Sequence, residues 1–139
     1  METERLPRGA DPTRHLKLGP GGLTDVEWIV QLLQLQHAAE VPALRTRSTL
    51  EALDAAVNAD LLDRADATAL RDAWLLASRV RSAITLWTNR TTDLLPVDRA
   101  QLEGIARILE YPPGSASLLE EDVLRVTRRA RAVFERLFT

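Results

Sequence analysis

The sequence predicts an all-α fold: about five helices in a mostly antiparallel bundle, preceded by an extended lead-in. After residue 23, apolar residues recur three and four positions apart over most of the chain, which is the period of amphipathic helices. The connections between these stretches are short, which favours antiparallel neighbours. The lead-in, residues 1–23, is rich in residues that break helices and form turns: Pro7, Gly9, Pro12, Gly19, Pro20, Gly21 and Gly22.

Capping residues and periodicity indicate where each helix begins and ends. Thr24, Ser48 and Ser117 each stand three positions before a glutamate, the spacing of a capping box. The longest apolar stripe, from Leu70 to Trp87, predicts the central helix. The predicted helices are residues 24 to about 39, 48–58, about 66–88, about 98–110 and 117 to the C-terminus, with the longest internal loop at 89–97.

Composition limits the class of protein. The chain has 139 residues, 45% of them hydrophobic and 27% charged, which fits one globular domain. We expect no membrane span, because no apolar run approaches the roughly 18 residues that one requires. The absence of cysteine and of a secretory signal favours a cytoplasmic location. The net charge of −2 argues against nucleic acid as a partner, since nucleic-acid binders usually carry a basic domain.

The junction between the lead-in and the first helix is the main candidate for a functional site. Lys17 and the Gly21-Gly22 pair precede a helix N-terminus, where free N–H groups and the helix dipole favour an anion. Asp25 and Glu27 occupy the first turn and would compete with a phosphate unless a divalent cation bridges the charges. A plain turn leading into a capped helix remains the alternative interpretation.

Other groupings of reactive residues do not form recognisable sites. His15 and His37 lack the partners and spacing of a zinc site, so we expect no metal ligands in this chain. The helical spacing of Trp74 and Trp87 favours packing in the core. The last helix carries several arginines that spread over a solvated surface instead of forming one patch: Arg125, Arg128, Arg129, Arg131 and Arg136.

The run KLGPGGLTDVEWIVQ, residues 17–31, resembles the signature of the bacterial glutamine synthetase adenylyltransferases, in which a lysine and paired glycines precede an acid-x-Glu-aromatic motif. Three further segments agree: residues 32–37, the P-x-L-R-x-R-x-T-L-x-x-L pattern over 42–53, and the V-F-x-x-L-F ending over 133–138. The related PII uridylyltransferases share the helical domain more loosely. Pro20 departs from the pattern, since an arginine is common there, and this weakens the case for a phosphate contact at that position.

This resemblance implies a cytoplasmic enzyme with two nucleotidyltransferase domains, each followed by a helical bundle. One half would transfer AMP from ATP to a tyrosine of glutamine synthetase, the other would remove it by phosphorolysis, and the PII protein would regulate both. The family's Gly-Ser…Asp-x-Asp metal motif is absent from this chain, so ATP and Mg²⁺ would belong to the parent enzyme and no cofactor to this segment.

The resemblance therefore predicts a connecting segment at 1–23, leading from an upstream nucleotidyltransferase domain, and a non-catalytic helical bundle at 24–139. Lys17, Gly21, Gly22, Asp25 and Glu27 would contact nucleotide or the seam between the two domains. Because Thr139 closely follows the V-F-x-x-L-F helix, we expect the C-terminal bundle of the enzyme. The alternatives are the bundle of the deadenylylating half or of a PII uridylyltransferase, or a freestanding helical interaction module.

Overall fold

The computed structural model describes residue 9 and residues 11–138. The other residues of the predicted lead-in, and Thr139, lie outside this described part. Within this part, two short 3₁₀ helices occur, Pro12–Arg14 and Pro42–Leu44. The bundle consists of α1 (Leu23–His37), α2 (Thr49–Asn58), α3 (Arg64–Thr88), α4 (Arg99–Ile108) and α5 (Ala116–Phe138). The prediction of an all-α bundle is confirmed.

The core consists of two apolar clusters that share their long helices. One cluster joins α1, α2, the first half of α3 and the end of α5 around Leu53, Leu70 and Ala130. The other joins the second half of α3, α4 and the start of α5 around Ile84, Ile105 and Leu119. Because α3 and α5 run through both clusters and pack most extensively against each other, they form the centre of the bundle.

Two predicted helix starts are correct. Ser48 caps α2, since its hydroxyl accepts a hydrogen bond from the Glu51 N–H at 3.2 Å. Asp98 caps α4 in the same way, accepting from the Gln101 N–H at 2.9 Å. The reciprocal half of the Ser48 capping box is wrong, because the Glu51 carboxylate accepts from the Thr46 hydroxyl instead of from the Ser48 N–H.

Two other predicted capping boxes are wrong. Thr24 lies inside α1, whose N-cap is Gly22 with no side-chain cap. Ser117 lies inside α5, which begins at Ala116. The Glu120 carboxylate, which was expected to complete the Ser117 box, binds Arg14 and Arg99 instead. At Ser117, contacts with distant parts of the chain thus replace the expected local bond.

The remaining differences are smaller. Helix α3 begins at Arg64, two residues before the predicted start, and ends at Thr88 as predicted. Trp74 packs between the two clusters as expected, but Trp87 is 51% exposed and the prediction of a core position for it is wrong. The Trp87 ring lies over Gly104 of α4, where a Cβ atom would come within 2.3 Å of it. This glycine allows the end of α3 to contact α4 through an aromatic face that stays half in solvent.

No helix in the described part of the chain is both long enough and apolar enough to span a bilayer.

Candidate functional site

The described part of the lead-in forms turns that are fastened to the bundle. The Leu16 N–H donates to the Asp93 carbonyl at 2.7 Å, and the Leu95 N–H donates to the Arg14 carbonyl at 2.9 Å, so the lead-in pairs with the loop between α3 and α4. Leu16 is buried in the core cluster around α4. The lead-in therefore enters the bundle at a fixed position.

The lead-in backbone also supplies the acceptors for the first turn of α1. The Leu23 N–H donates to the Leu16 carbonyl at 2.9 Å, and the Thr24 N–H donates to the Lys17 carbonyl at 3.0 Å. Two of the donors that every helix leaves unpaired at its N-terminus are thus satisfied by the lead-in. This is why Thr24 is not needed as a cap, and it fixes the Lys17 backbone beside the start of α1.

The paired glycines are required by close backbone contacts. Gly21 has a φ of +72°, in the left-handed region, and a Cβ atom there would lie 1.9 Å from the Thr127 carbonyl oxygen of α5. A Cβ atom at Gly22 would lie 2.7 Å from the Leu16 carbonyl oxygen. The glycine-rich turn therefore lets the lead-in fold on itself and touch α5.

Asp25 connects the turn, α1 and α5. Its Oδ2 accepts from the Gly21 N–H at 2.7 Å and from Nη1 of Arg131 at 2.9 Å, and only 13% of its side chain is exposed. The hydrogen bond to Asp25 raises the pKa of the Arg131 guanidinium. The Asp25 carboxylate is thus bound to groups of the chain itself, which favours a positioning role for it over a phosphate or metal contact.

Lys17 and Glu27 complete the set of predicted site residues. Lys17 is the only lysine in the chain, and its side chain is half-buried beside the turn. Glu27 is also half-buried and follows Asp25 by two positions, about 200° around the helix, so the two carboxylates leave α1 in different directions. The structure thus places Lys17, Gly21, Gly22 and Asp25 around one turn, with Glu27 on another side of the same helix end.

Sequence reasoning missed the residues that hold this junction from outside. Arg131 stands 106 positions from Asp25, and no local pattern marks it among the other arginines of α5. Arg14 donates to the carbonyl oxygens of Leu95 and Pro96 and lies 2.8 Å from the Glu120 carboxylate. Arg99 of α4 binds the other oxygen of Glu120 at 2.7 Å. These contacts fasten the lead-in to α4 and α5.

The contacts with Arg14 and Arg99 lower the pKa of Glu120. Its partial burial on its own would raise the pKa, but hydrogen bonds from Arg99 and Arg14 outweigh that effect and hold the pKa of Glu120 below its ordinary value of 4.5. The charged form of Glu120 is therefore the form that binds the lead-in.

The histidines and acids do not form a metal site within the described residues. His15 is buried and its Nδ1 accepts from the Leu18 N–H at 2.9 Å, which is a structural role within the turn. Across residue 9 and residues 11–138, no group of three or more histidine, aspartate or glutamate side chains is placed to hold a metal ion. The junction is a backbone turn held by hydrogen bonds, with Lys17 beside it.

The fold and the junction together define a helical bundle domain whose entry segment is built into its core. The chain belongs to the GlnD PII-uridylyltransferase family, whose model matches residues 3–138.

Among individual proteins it is similar to bifunctional glutamine synthetase adenylyltransferase/adenylyl-removing enzymes, and the resemblance seen in the sequence is confirmed. It is 67% identical to that of Leifsonia xyli, 54% to that of Streptomyces avermitilis and 51% to that of Mycobacterium leprae, each over 99% of this chain. The chain spans 14% of the length of these relatives.

Proposed function

We propose that this chain is a non-catalytic helical domain of a bifunctional glutamine synthetase adenylyltransferase/adenylyl-removing enzyme. The observation that carries the proposal is the 67% identity over 99% of the chain to a region that makes up 14% of such an enzyme. The whole enzyme would work in the cytoplasm, transferring AMP from ATP to a tyrosine of glutamine synthetase and removing it by phosphorolysis. ATP, Mg²⁺ and contact with the PII protein would belong to that larger assembly.

Within this enzyme, residues 1–23 would connect an upstream nucleotidyltransferase domain to the bundle at 24–139. The hydrogen bonds at Leu16, Lys17 and Asp25 support a rigid junction, since a fastened segment transmits a fixed orientation from one domain to the next. We assign Lys17 to a nucleotide phosphate or a carboxylate at the domain seam. Gly21, Gly22 and Asp25 would hold the turn that presents Lys17, and Glu27 would face the seam from α1.

The proposal is tested by Lys17→Ala and Lys17→Arg in the full-length enzyme. Loss of one charge-assisted contact is expected to raise the KM for ATP or lower kcat by roughly tenfold in AMP transfer to glutamine synthetase. Lys17→Arg keeps the charge and should retain most of the activity. Arg79→Ala, which removes an exposed positive charge from α3, is the matched control and should leave the kinetics unchanged. Unaltered kinetics in Lys17→Ala would remove Lys17 from the site and leave the domain as a scaffold.

One rival activity has a specific observation in its favour, because the matching family model is described as a PII-uridylyltransferase. In that case the full-length protein would transfer UMP to the PII protein and not AMP to glutamine synthetase. Assaying both transfers with the same enzyme preparation decides between them. Absence of both activities would favour a freestanding helical interaction module.

A further inference from the structure

A cleft opens where the end of α3, the loop that follows it and the first turn of α4 meet. Its volume is about 460 Å³, within the roughly 300–1,000 Å³ of pockets that hold small molecules. Trp87 and Thr88 line it from α3, Leu94 and Pro96 from the loop, and Gln101 from α4. We call this space the α3–α4 cleft.

The Trp87 side chain gives the cleft an aromatic surface in a defined position. Its ring lies over Gly104 of α4, where a Cβ atom would come within 2.3 Å of a ring carbon. Trp87 is nevertheless 51% exposed, so the contact with Gly104 leaves much of the indole uncovered. An aromatic ring that is supported on one part and open on another is a surface on which a second flat ring can stack.

Arg90, which also lines the cleft, gives it a positive charge. Within residue 9 and residues 11–138, the Arg90 guanidinium has no hydrogen-bond or ion-pair partner. The acids of this loop are engaged elsewhere: Asp93 binds Nε of Arg81 at 2.6 Å, and Asp98 accepts from the Gln101 N–H at 2.9 Å. None of the described residues that line the cleft is acidic. Since a guanidinium binds carboxylate and phosphate groups well, the cleft favours an anion.

From this pairing of an open aromatic surface with an unneutralised arginine, we infer that the α3–α4 cleft binds a small ligand in which a flat ring is joined to an anionic group. The ring would stack on Trp87, and the anionic group would accept hydrogen bonds from Arg90. Nucleotides and aromatic carboxylates share this chemistry. The cleft belongs to the bundle itself, so binding does not require the upstream domain of the proposed function.

The cleft lies against the contacts that fasten the lead-in. Leu94, which lines the cleft, pairs with His15 in an isolated antiparallel bridge. Pro96, which also lines it, accepts a hydrogen bond from Arg14 through its carbonyl oxygen. A ligand against Leu94 and Pro96 would restrict the stretch of loop that Arg14 holds, so ligand binding and attachment of the lead-in would strengthen each other.

Binding is measured on the 139-residue chain by calorimetry and backbone amide NMR, with AMP and indole-3-acetate as the probes. Adenosine and indole keep the rings but lack the anionic groups. At least one probe should bind with a Kd below roughly 10 mM and shift the amides of residues 87–94. Its uncharged counterpart should bind at least roughly tenfold more weakly. Binding by neither probe, or equal binding of the uncharged compound, would overturn the inference, and the probe that binds shows which of the two ligand classes fits.

Substitutions place the bound probe in the cleft. Trp87→Ala and Arg90→Ala should each weaken its binding roughly tenfold, since one removes the stacking surface and the other the charge. Trp28→Ala, at a tryptophan of α1 that is 45% exposed, and Arg107→Ala, at an exposed arginine of α4, are the matched controls and should leave the affinity unchanged. Arg90 is exposed, so its variant serves as the test where Trp87→Ala fails to fold. Unchanged affinity in Arg90→Ala, or an equal loss in the controls, would overturn the inference.

Arg14→Ala tests the link to the lead-in, because it removes the bonds to the loop without changing a residue that lines the cleft. It should weaken binding of the probe by roughly fivefold. Arg71→Ala, which removes an exposed ion pair with Asp54 elsewhere on α3, is the control and should not change the affinity. Equal affinities of the wild type and Arg14→Ala would contradict the link.

Discussion

At the start of α1, the Asp25 carboxylate joins three parts of the chain that are distant in sequence. It binds the Gly21 N–H of the lead-in and the Arg131 guanidinium of α5, while Gly21 itself touches the Thr127 backbone. The contact is possible only because Gly21 has no side chain and adopts a positive φ. The junction therefore depends on a few residues whose roles can be separated by substitution.

Gly21→Ala should destabilise the chain by roughly 3 kcal/mol, since it combines left-handed backbone strain with a clash against α5. Gly114→Ala is the matched control, because Gly114 has a similar φ of +81° but open space around its Cβ position. Gly114→Ala should lower the free energy of unfolding by the backbone strain alone, about 1 kcal/mol. Urea unfolding measures both. Equal losses would show that the contact with Thr127 does not constrain the turn.

A double-mutant cycle with Asp25→Ala and Arg131→Ala should give a coupling energy of about 1 kcal/mol in urea unfolding. The Asp25 side chain is only 13% exposed, so the coupling energy of this pair should exceed that of the weakest surface ion pairs. A cycle with Asp54→Ala and Arg71→Ala, whose side chains are both more exposed, is the control and should give less. A coupling energy near zero for Asp25 and Arg131 would contradict the assigned role of Asp25.

At the scale of elements, the helix starts differ in what bonds their first N–H groups. At some of them a nearby side chain caps the helix, and at others a preceding segment of backbone does. Ser48 and Asp98 bond to N–H groups three residues away, and this could be predicted from spacing alone. Thr24 has the same spacing, yet the lead-in carbonyls of Leu16 and Lys17 already accept the bonds at that helix end. A capping pattern therefore predicts a helix near it more reliably than it predicts the cap itself.

Ser48→Ala should lower the free energy of unfolding by about 1 kcal/mol, the usual cost of losing an N-cap. Ser117→Ala, the predicted cap that lies inside α5, should change it by no more than a few tenths of a kcal/mol. Thermal or urea unfolding of the two variants makes the comparison. A larger effect at Ser117 than at Ser48 would contradict the observed start of α5.

The attachment of the lead-in to α4 and α5 should depend on pH through Glu120. Its pKa is lower in the folded chain than its ordinary value of 4.5, so its stabilising contribution is complete above that pH and is lost as the pH falls through the folded pKa. Wild type should exceed Glu120→Gln in stability near neutral pH, and the difference should shrink as the pH falls below 4.5. Unfolding free energies measured across this range test the expectation, and a constant difference would contradict it.

At the scale of the whole molecule, the fold could be predicted from the sequence because helical periodicity is local and strong in α3 and α5. The junction could be predicted only in part. Glycines beside a lysine and two acids indicated a candidate site at the start of α1, but nothing in the sequence indicated that Asp25 would bind Arg131 of α5. Trp87 was misplaced because its apolar spacing matches the core stripe while its ring lies over Gly104 at the surface. Such contacts depend on how helices pack and not on the sequence near either residue.

The lead-in and the bundle form one structure in the described part of the chain, since Leu16 is buried with residues of α3, α4 and α5. The proposed function adds that this structure presents Lys17 at the seam with a nucleotidyltransferase domain. The bundle would then act on catalysis by holding one edge of the nucleotide site in place.

The most direct measurement of this claim is a titration with Mg-ATP followed by backbone amide NMR. It is made on the 139-residue chain and on the same chain joined to the nucleotidyltransferase domain that the proposed function places upstream. We predict shifts at the amides of residues 17–27 in the joined protein and none there in the chain alone. Shifts at those amides in the chain alone, or in neither protein, would contradict a nucleotide site completed at the domain seam.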